Sequence, residues 1–525
     1  MMKNRKRDNY MSLKILIGGL FILVFGFGCQ MDQSRPNIIL IMGDDIGFSD
    51  IGAYGSEIKT PNLDLLAQEG IRFSTFYNMS KCNPTRSSLL TGLYKGGEGA
   101  VSMAGLLKQN GYQTMMSGKE HFDEWVPEYC RVEENFDERF YFWINTEFFI
   151  PPDGVFDNPF IYNGKELTVD EIDYEREPFF KTDVFVDYAL RWLNEKENDP
   201  FFLYLPFHAA HYPLQARPED IEKYIDIYKQ GWDQLRDKRY GRLLEMGLIP
   251  EKAKLSTPTD NIHQRRRGVQ EGTSKGDLIP KYRPWDSLTD IEKEELGLEM
   301  AVFAAMVDRM DQNIGRVIDW LKEHNELDNT IILYLSDNGS CPYDSNVDLS
   351  VPPGPAHSYR TLSAAWANLG NTPFRYFKQF GHEGGSHTQL IVHWPEGIEA
   401  RGEITDQPGH VVDIFPTILD IAGINYPQTY QGYPSIELHG SSLLPVLQGE
   451  QREEPGFFIS GNGEPFRMFR KGKWKIVRAN NDSWELYDLE EDPTETKDLA
   501  FQMPEVLSRM EQSYLLAKEQ LNWKN

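Results

Sequence analysis

Apolar residues in this chain gather in short unbroken runs. Residues 37–42 read N-I-I-L-I-M and residues 330–335 read T-I-I-L-Y-L. β-branched runs of this length, with no polar face, predict strands covered on both sides in an α/β sheet. Residues 112–118 and 201–207 predict two more. Each run stops at a polar cluster: Asp44-Asp45, Asp337-Asn338, Lys119-Glu120-His121 and His208-Ala209-Ala210-His211. Open α/β sheets place ligands at the C-terminal ends of their strands, so the two acid pairs are candidates to meet at one sheet edge, a solvated strand-to-loop turn being the alternative; Lys119-Glu120-His121 by itself reads as a surface turn. Helical spacing is read at 181–196, with Val184, Tyr188, Leu190, Trp192 and Leu193 inward, and again at 291–324 and 411–422. The aromatic and acidic stretch 129–178 is expected to form irregular loops along a substrate cleft. From about Pro455 onward, short runs between turn residues predict a small antiparallel sheet, closed by a helix from about Pro504.

The polar clusters carry the candidate chemistry. Adjacent carboxylates at the end of a buried strand repel, and burying them costs several kcal/mol unless a cation compensates. Asp44, Asp45, Asp337 and Asn338 offer the oxygen ligands of a hard divalent cation. Calcium suits them; magnesium, the alternative, wants a stricter octahedron. The two pairs stand almost 300 residues apart, so their meeting is a long-range prediction. Residues 71–77 alternate as a strand and lead to Cys82, and Pro84 suits the opening of a helix to about Leu90. Residue 82 is then near a helix N-terminus, where anions are favoured, with Arg86 one turn along.

Residues 81–92 read K-C-N-P-T-R-S-S-L-L-T-G. The string C-x-P-T-R-x-x-x-L-T-G resembles the signature of type I sulfatases at every fixed position. The strings G-D-D-I-G-F-S-D-I-G-A-Y-G and T-P-N-L-D-L-L-A-Q-E-G-I-R-F are similar to that family's N-terminal region. The resemblance implies an alkaline-phosphatase/sulfatase-like α/β fold: a large mixed sheet sandwiched by helices, with a small C-terminal antiparallel-sheet subdomain. It places a catalytic domain at 35–440 and the subdomain at 441–525.

The resemblance also implies that a maturation enzyme oxidises Cys82 to formylglycine, whose hydrate is the nucleophile and whose oxygen joins the metal ligands. Arg86 would hold that group and His121 contact it. Lys119 would bind sulfate, as would Lys378, five residues before Glu383-Gly384-Gly385. His211 would stand beside the leaving-group oxygen, with His208 as the second candidate. Departures from the family pattern are Glu120, Phe122 and Asp123 around His121, Gln389 in place of a proline, and a short Gly-rich link at 93–101. The short link predicts a more open site on its side.

The expected reaction is hydrolysis of a sulfate monoester, more readily of a sulfated carbohydrate than of an aryl sulfate. The alternatives are a formylglycine-dependent phosphonate or phosphodiester hydrolase, and an unmatured protein that binds sulfated glycans.

Charge and the N-terminus narrow the setting. Lys3, Arg5, Lys6, Arg7 and Lys14 precede an apolar run at 15–27, too short for a bilayer span of about 20 residues and suited to a secretory signal at 1–28. Gly28-Cys29 resembles a lipoprotein lipobox, imperfectly at Gly26 and Phe27. The reading is an exported, periplasmic or cell-surface protein with Cys29 as a lipid-anchor candidate; an uncleaved membrane-anchoring helix is the alternative. The net charge of −26 argues against nucleic acid as a partner. The basic run at 265–267 reads as a solvated loop face. Of four cysteines, Cys130 and Cys341 remain as a candidate disulfide.

Overall fold

The run at 37–42 becomes the strand Asn37–Gly43, buried along its whole length. It lies in the middle of a ten-stranded sheet, parallel to Thr330–Ser336 on one side and Phe201–Pro206 on the other. Successive residues point to opposite faces, which explains why the run shows no polar positions. Ile39, Ile41, Leu203, Leu205 and Ile332 join the core on one face; Ile38, Leu40, Met42, Phe202 and Leu333 join the core on the other. The helices Lys181–Glu195 and Asp290–Glu323 cover the first face, and Cys82–Thr91 and Ile414–Ala422 lie against the second.

The computed structural model describes residues 35–523, except 198, 260–281, 344–349, 454, 462–466 and 480–481. The proposed signal 1–28, Cys29 and the basic run 265–267 lie outside the described residues. From Arg35 on, the chain forms one compact unit. The sheet is mixed: Leu390–His393 runs antiparallel to Thr330–Ser336, and Gln113–Lys119 runs parallel to both Phe201–Pro206 and Glu138–Phe142.

The stretch 129–178 differs from expectation. It contributes three strands, Glu138–Phe142, Phe160–Tyr162 and Lys165–Leu167, which extend the sheet to its edge. Most of its aromatic rings fill core, where Phe140 stacks on Phe160 at 5.1 Å and on Tyr188 at 3.9 Å, while Phe148 stacks on His208 and Trp143 is exposed. The predicted strand at 71–77 is two short strands, Ile71–Phe73 and Phe76–Tyr77, in different sheets.

The C-terminal runs form a four-stranded antiparallel sheet, Phe458–Ser460, Arg467–Lys471, Trp474–Arg478 and Glu485–Asp488. On one face Phe469, Ile476 and Leu486 join the core with Met510 and Tyr514 of the helix Pro504–Gln520. On the other, Phe458, Met468, Val477 and Tyr487 enclose Tyr77. That second contact brings the small sheet against the segment that leads to Cys82.

Candidate active site

Register explains how the two acid pairs meet. Gly43 pairs with Ser336 at the ends of two parallel neighbours, so the residues that follow emerge side by side. The Asp45 amide donates to Asp337 Oδ1 at 3.3 Å, and Asn338 Nδ2 donates to Asp45 Oδ1 at 2.7 Å. Asp45 takes a positive φ of 63°, which turns the chain back over the strand end. All four side chains are buried.

Three cations surround the three carboxylates. Arg86 lies one turn into the helix that begins at Cys82, and its Nε and Nη2 donate to Asp337 Oδ2 at 3.1 and 2.8 Å. The same Nη2 lies 3.5 Å from Asp44 Oδ2, and Nη1 donates to the Lys119 carbonyl. Lys119 Nζ reaches Asp44 Oδ2 at 2.7 Å, and Lys378 Nζ reaches Asp45 Oδ1 at 2.5 Å. Thr85 Oγ1 donates to the Asp337 carbonyl, fastening the helix start to the strand end. Cys82 is 3% exposed.

Burial raises the Asp44 carboxyl, but Lys119, His211 and Arg86 together hold it well below the usual carboxylate range. For Asp337, burial and the Asp44 charge prevail over Arg86 and push its carboxyl well up. Asp44 Oδ1, Asp45 Oδ2 and Asn338 Oδ1 are buried without a hydrogen-bond partner. Orphaned buried oxygens beside crowded carboxylates fit a hard cation, which would take those lone pairs and relieve the repulsion. Asp44, Asp45 and His211 also bring one ligand atom each within 4.8 Å of one another.

His208 and His211 follow the strand Phe201–Pro206 as the sequence predicts, whereas His121 reaches the site by another route. The strand before His121 ends at Lys119, and His121 has φ 49°, so simple alternation from residue 119 does not hold. It still lies within the field of Lys119 and Arg86: burial, then those two charges, push its imidazole down to about 2. His211 Nδ1 faces the Tyr212 carbonyl at 2.8 Å and Nε2 lies 3.6 Å from Asp45 Oδ2. A carbonyl only accepts, so Nδ1 carries a hydrogen and Nε2 is the nitrogen turned to the carboxylates. Burial holds this ring down at about 3 despite Asp45. His208 stacks on His211 at 4.9 Å, with its Nδ1 2.7 Å from the fully buried Lys181 Nζ.

Two expectations are corrected. Cys130 and Cys341 are free thiols: Cys130 donates to the Ala100 carbonyl, while Cys341 lines a small cavity with Asp45, Tyr212 and Phe303. Nor is the 93–101 side open. Ile436 N donates to the Gly99 carbonyl at 2.9 Å, His439 N to the Gly92 carbonyl at 3.0 Å, and Tyr94 N to His439 Nδ1 at 3.0 Å. The 430–439 segment thus occupies the space a longer loop would fill.

Lys181 and Cys341 were missed. Lys181 begins a helix, where a cation opposes the dipole, and that misfit was a readable signal. Cys341 stands four residues past Asp337, on the same strand end. Gln389, the departure from the family's proline, is buried and its Nε2 donates to the carbonyls of Gly47 and Phe48, just past the acid pair. His382, His387 and His393 contact Glu485, Glu383 and Glu69.

Known proteins share this sequence and fold. The chain matches the Sulfatase family model over residues 36–424, and the model for the C-terminal region of N-sulphoglucosamine sulphohydrolase over residues 373–520. It is 32% identical to an uncharacterised sulfatase of Schizosaccharomyces pombe, covering 93% of this chain and 94% of that one. It is 25% identical to an N-acetylglucosamine-6-O-sulfatase of Bacteroides thetaiotaomicron, covering 94% and 88%. Its fold is similar to the crystal structure of Ps i-CgsB in complex with k-i-k-neocarrahexaose, with TM-score 0.63, 23% identity and 93% of each chain covered. The strand-end carboxylates, their three cations and the helix that opens on Cys82 therefore sit in a sulfuric ester hydrolase, and the chain belongs to the sulfatase family of the alkaline phosphatase superfamily.

Proposed function

We propose that this sulfatase acts on sulfated carbohydrates, with Cys82 oxidised to formylglycine by a maturation enzyme and with a calcium ion held by Asp44, Asp45, Asp337, Asn338 and residue 82. The observation that carries this is the cluster of orphaned carboxylate and amide oxygens beside a buried Cys82. Magnesium would be the second choice of ion. The ion would raise the acidity of the aldehyde hydrate, whose hydroxyls supply the oxygen nucleophile and the later release of sulfate.

The remaining work falls to side chains. Arg86, Lys119 and Lys378 pair with the three acid side chains before substrate arrives. With a divalent cation held by those acids, the site would carry an excess of positive charge that attracts a sulfate ester and offsets charge developing on its oxygens. His211 is the general acid for the departing oxygen: its Nδ1 hydrogen is fixed on the Tyr212 carbonyl, and Nε2 takes up the proton it delivers only once the charge of the bound ester offsets the burial that keeps the resting ring neutral. Asp337 or His121 accepts the proton whose loss frees sulfate.

The sugar preference is supported by the N-acetylglucosamine-6-O-sulfatase relative and by the family model matched at 373–520. The positively charged, apolar N-terminus supports an exported location, with Cys29 as the lipid-anchor candidate.

The test combines mass spectrometry of the peptide bearing residue 82 with assays on a 6-O-sulfated amino sugar, an aryl sulfate, a phosphodiester and a phosphonate. An aldehyde mass and fastest turnover of the sulfated sugar are expected. An unmodified thiol in active protein, or preference for the phosphorus esters, would overturn the reading.

A further inference from the structure

Resting on that reading of Lys378, we propose that Lys475, on the small C-terminal sheet, is a positioning residue for the sulfate-binding lysine. The Lys475 side chain is fully buried, and its Nζ lies 2.5 Å from Glu383 Oε1 and 2.7 Å from Glu495 Oε1. A lysine so deep persists only where carboxylates compensate it, and removing one partner leaves an uncompensated charge. Glu383 is the hub. It accepts from Tyr77 Oη at 3.2 Å and faces His387 Nδ1 at 2.7 Å, while its own amide donates to Glu495 Oε2 at 2.8 Å. His387 Nε2 faces the Ser74 carbonyl at 2.8 Å, so both ring nitrogens point at oxygen atoms.

This hub lies under three segments that reach the site. Lys378 N donates to the Ser340 carbonyl, and Gln379 N to the Ser80 carbonyl two residues before Cys82. Gly339 N, next to Asn338, donates to the Gly385 carbonyl, and Asn78 N to the Ser386 carbonyl. The backbone directly after Glu383 packs closely on the loop that carries Lys378. A Cβ on Gly384 would stand 2.1 Å from the Tyr376 carbonyl, and one on Gly385 2.1 Å from the Phe380 carbonyl. A displacement of Glu383 therefore passes along rigid backbone to Lys378, and through Gly339 to Asn338. Lys475 is the buried ammonium of the small sheet at this hub, beside the contacts that Arg375 and His382 make with Glu485.

The test uses the full chain with inorganic sulfate as the probe, read as the sulfate-induced rise in Tm and as Ki against aryl sulfate hydrolysis. Lys475→Met and the milder Glu383→Gln are compared with Lys223→Met. That third change removes the pair between Lys223 and the buried Asp308, which touches neither the hub nor the site residues, and serves as a control for plain destabilisation. A rise in Ki of about tenfold is expected in both hub variants, with no such change in the control. If Lys475→Met does not fold, Glu383→Gln decides alone. Hub variants that lose Tm but keep Ki within about twofold of wild type would overturn the proposal. A wild type that hydrolyses aryl sulfate yet shows no response to sulfate would also overturn it, whereas a wild type with no hydrolysis at all would count first against the sulfated-substrate reading.

Discussion

Arg86 shows how much one side chain does here. Its fork spans Asp337 and the Lys119 carbonyl while one nitrogen lies near Asp44, so it ties three strand ends together. A lysine carries the same charge without the planar spread of donors. Arg86→Lys is therefore expected to fold but to lose about 10²-fold or more in kcat, the scale of one lost oxyanion donor; steady-state kinetics beside a thermal melt would check it. The acid pairs were legible because each stands directly after a buried strand. His121 was legible only as an identity: its φ of 49° is imposed by neighbours, and no local pattern announces it. Lys475 and Glu383 were invisible, because a buried ion pair across 92 residues leaves no periodic trace.

Among elements, long buried strands and amphipathic helices read directly from the sequence. The central strands are apolar throughout because helices cover both faces, and Lys181–Glu195 shows its inward stripe. The edge strands did not read, since three-residue strands such as Phe160–Tyr162 and Lys165–Leu167 carry too few positions to show a period. Their aromatic neighbours were therefore assigned to a cleft. The structure gives them a packing role, with Phe140 fully buried between Phe160 and Tyr188. Phe140→Ala is expected to destabilise by about 3–5 kcal/mol while leaving KM unchanged, as denaturant melts and kinetics would show. A raised KM without lost stability would restore the cleft assignment.

For the whole molecule, the ion proposed at the strand ends links activity to stability. An ion that binds only the folded chain stabilises it by about 2.7 kcal/mol at a hundred times its Kd. Chelation is thus expected to lower Tm, and calcium to restore it in proportion to the logarithm of its concentration. Calcium titrations followed by differential scanning fluorimetry would check this, and Asp45→Asn should flatten the response. Charge at this scale is strongly negative, so a sulfated substrate meets attraction only within the buried cluster of Arg86, Lys119 and Lys378.

The depth of Cys82 has a bearing on how the enzyme is made. A thiol with 3% of its surface accessible, at the first turn of a helix under the sheet, cannot enter the active centre of another protein. The oxidation proposed for it has to happen on a nascent or still unfolded polypeptide. Folding and conversion then compete, and every molecule that closes first is lost to catalysis. Chain refolded from denaturant as the plain thiol should stay inactive when the maturation enzyme is added afterwards, and gain turnover only when both are present during renaturation.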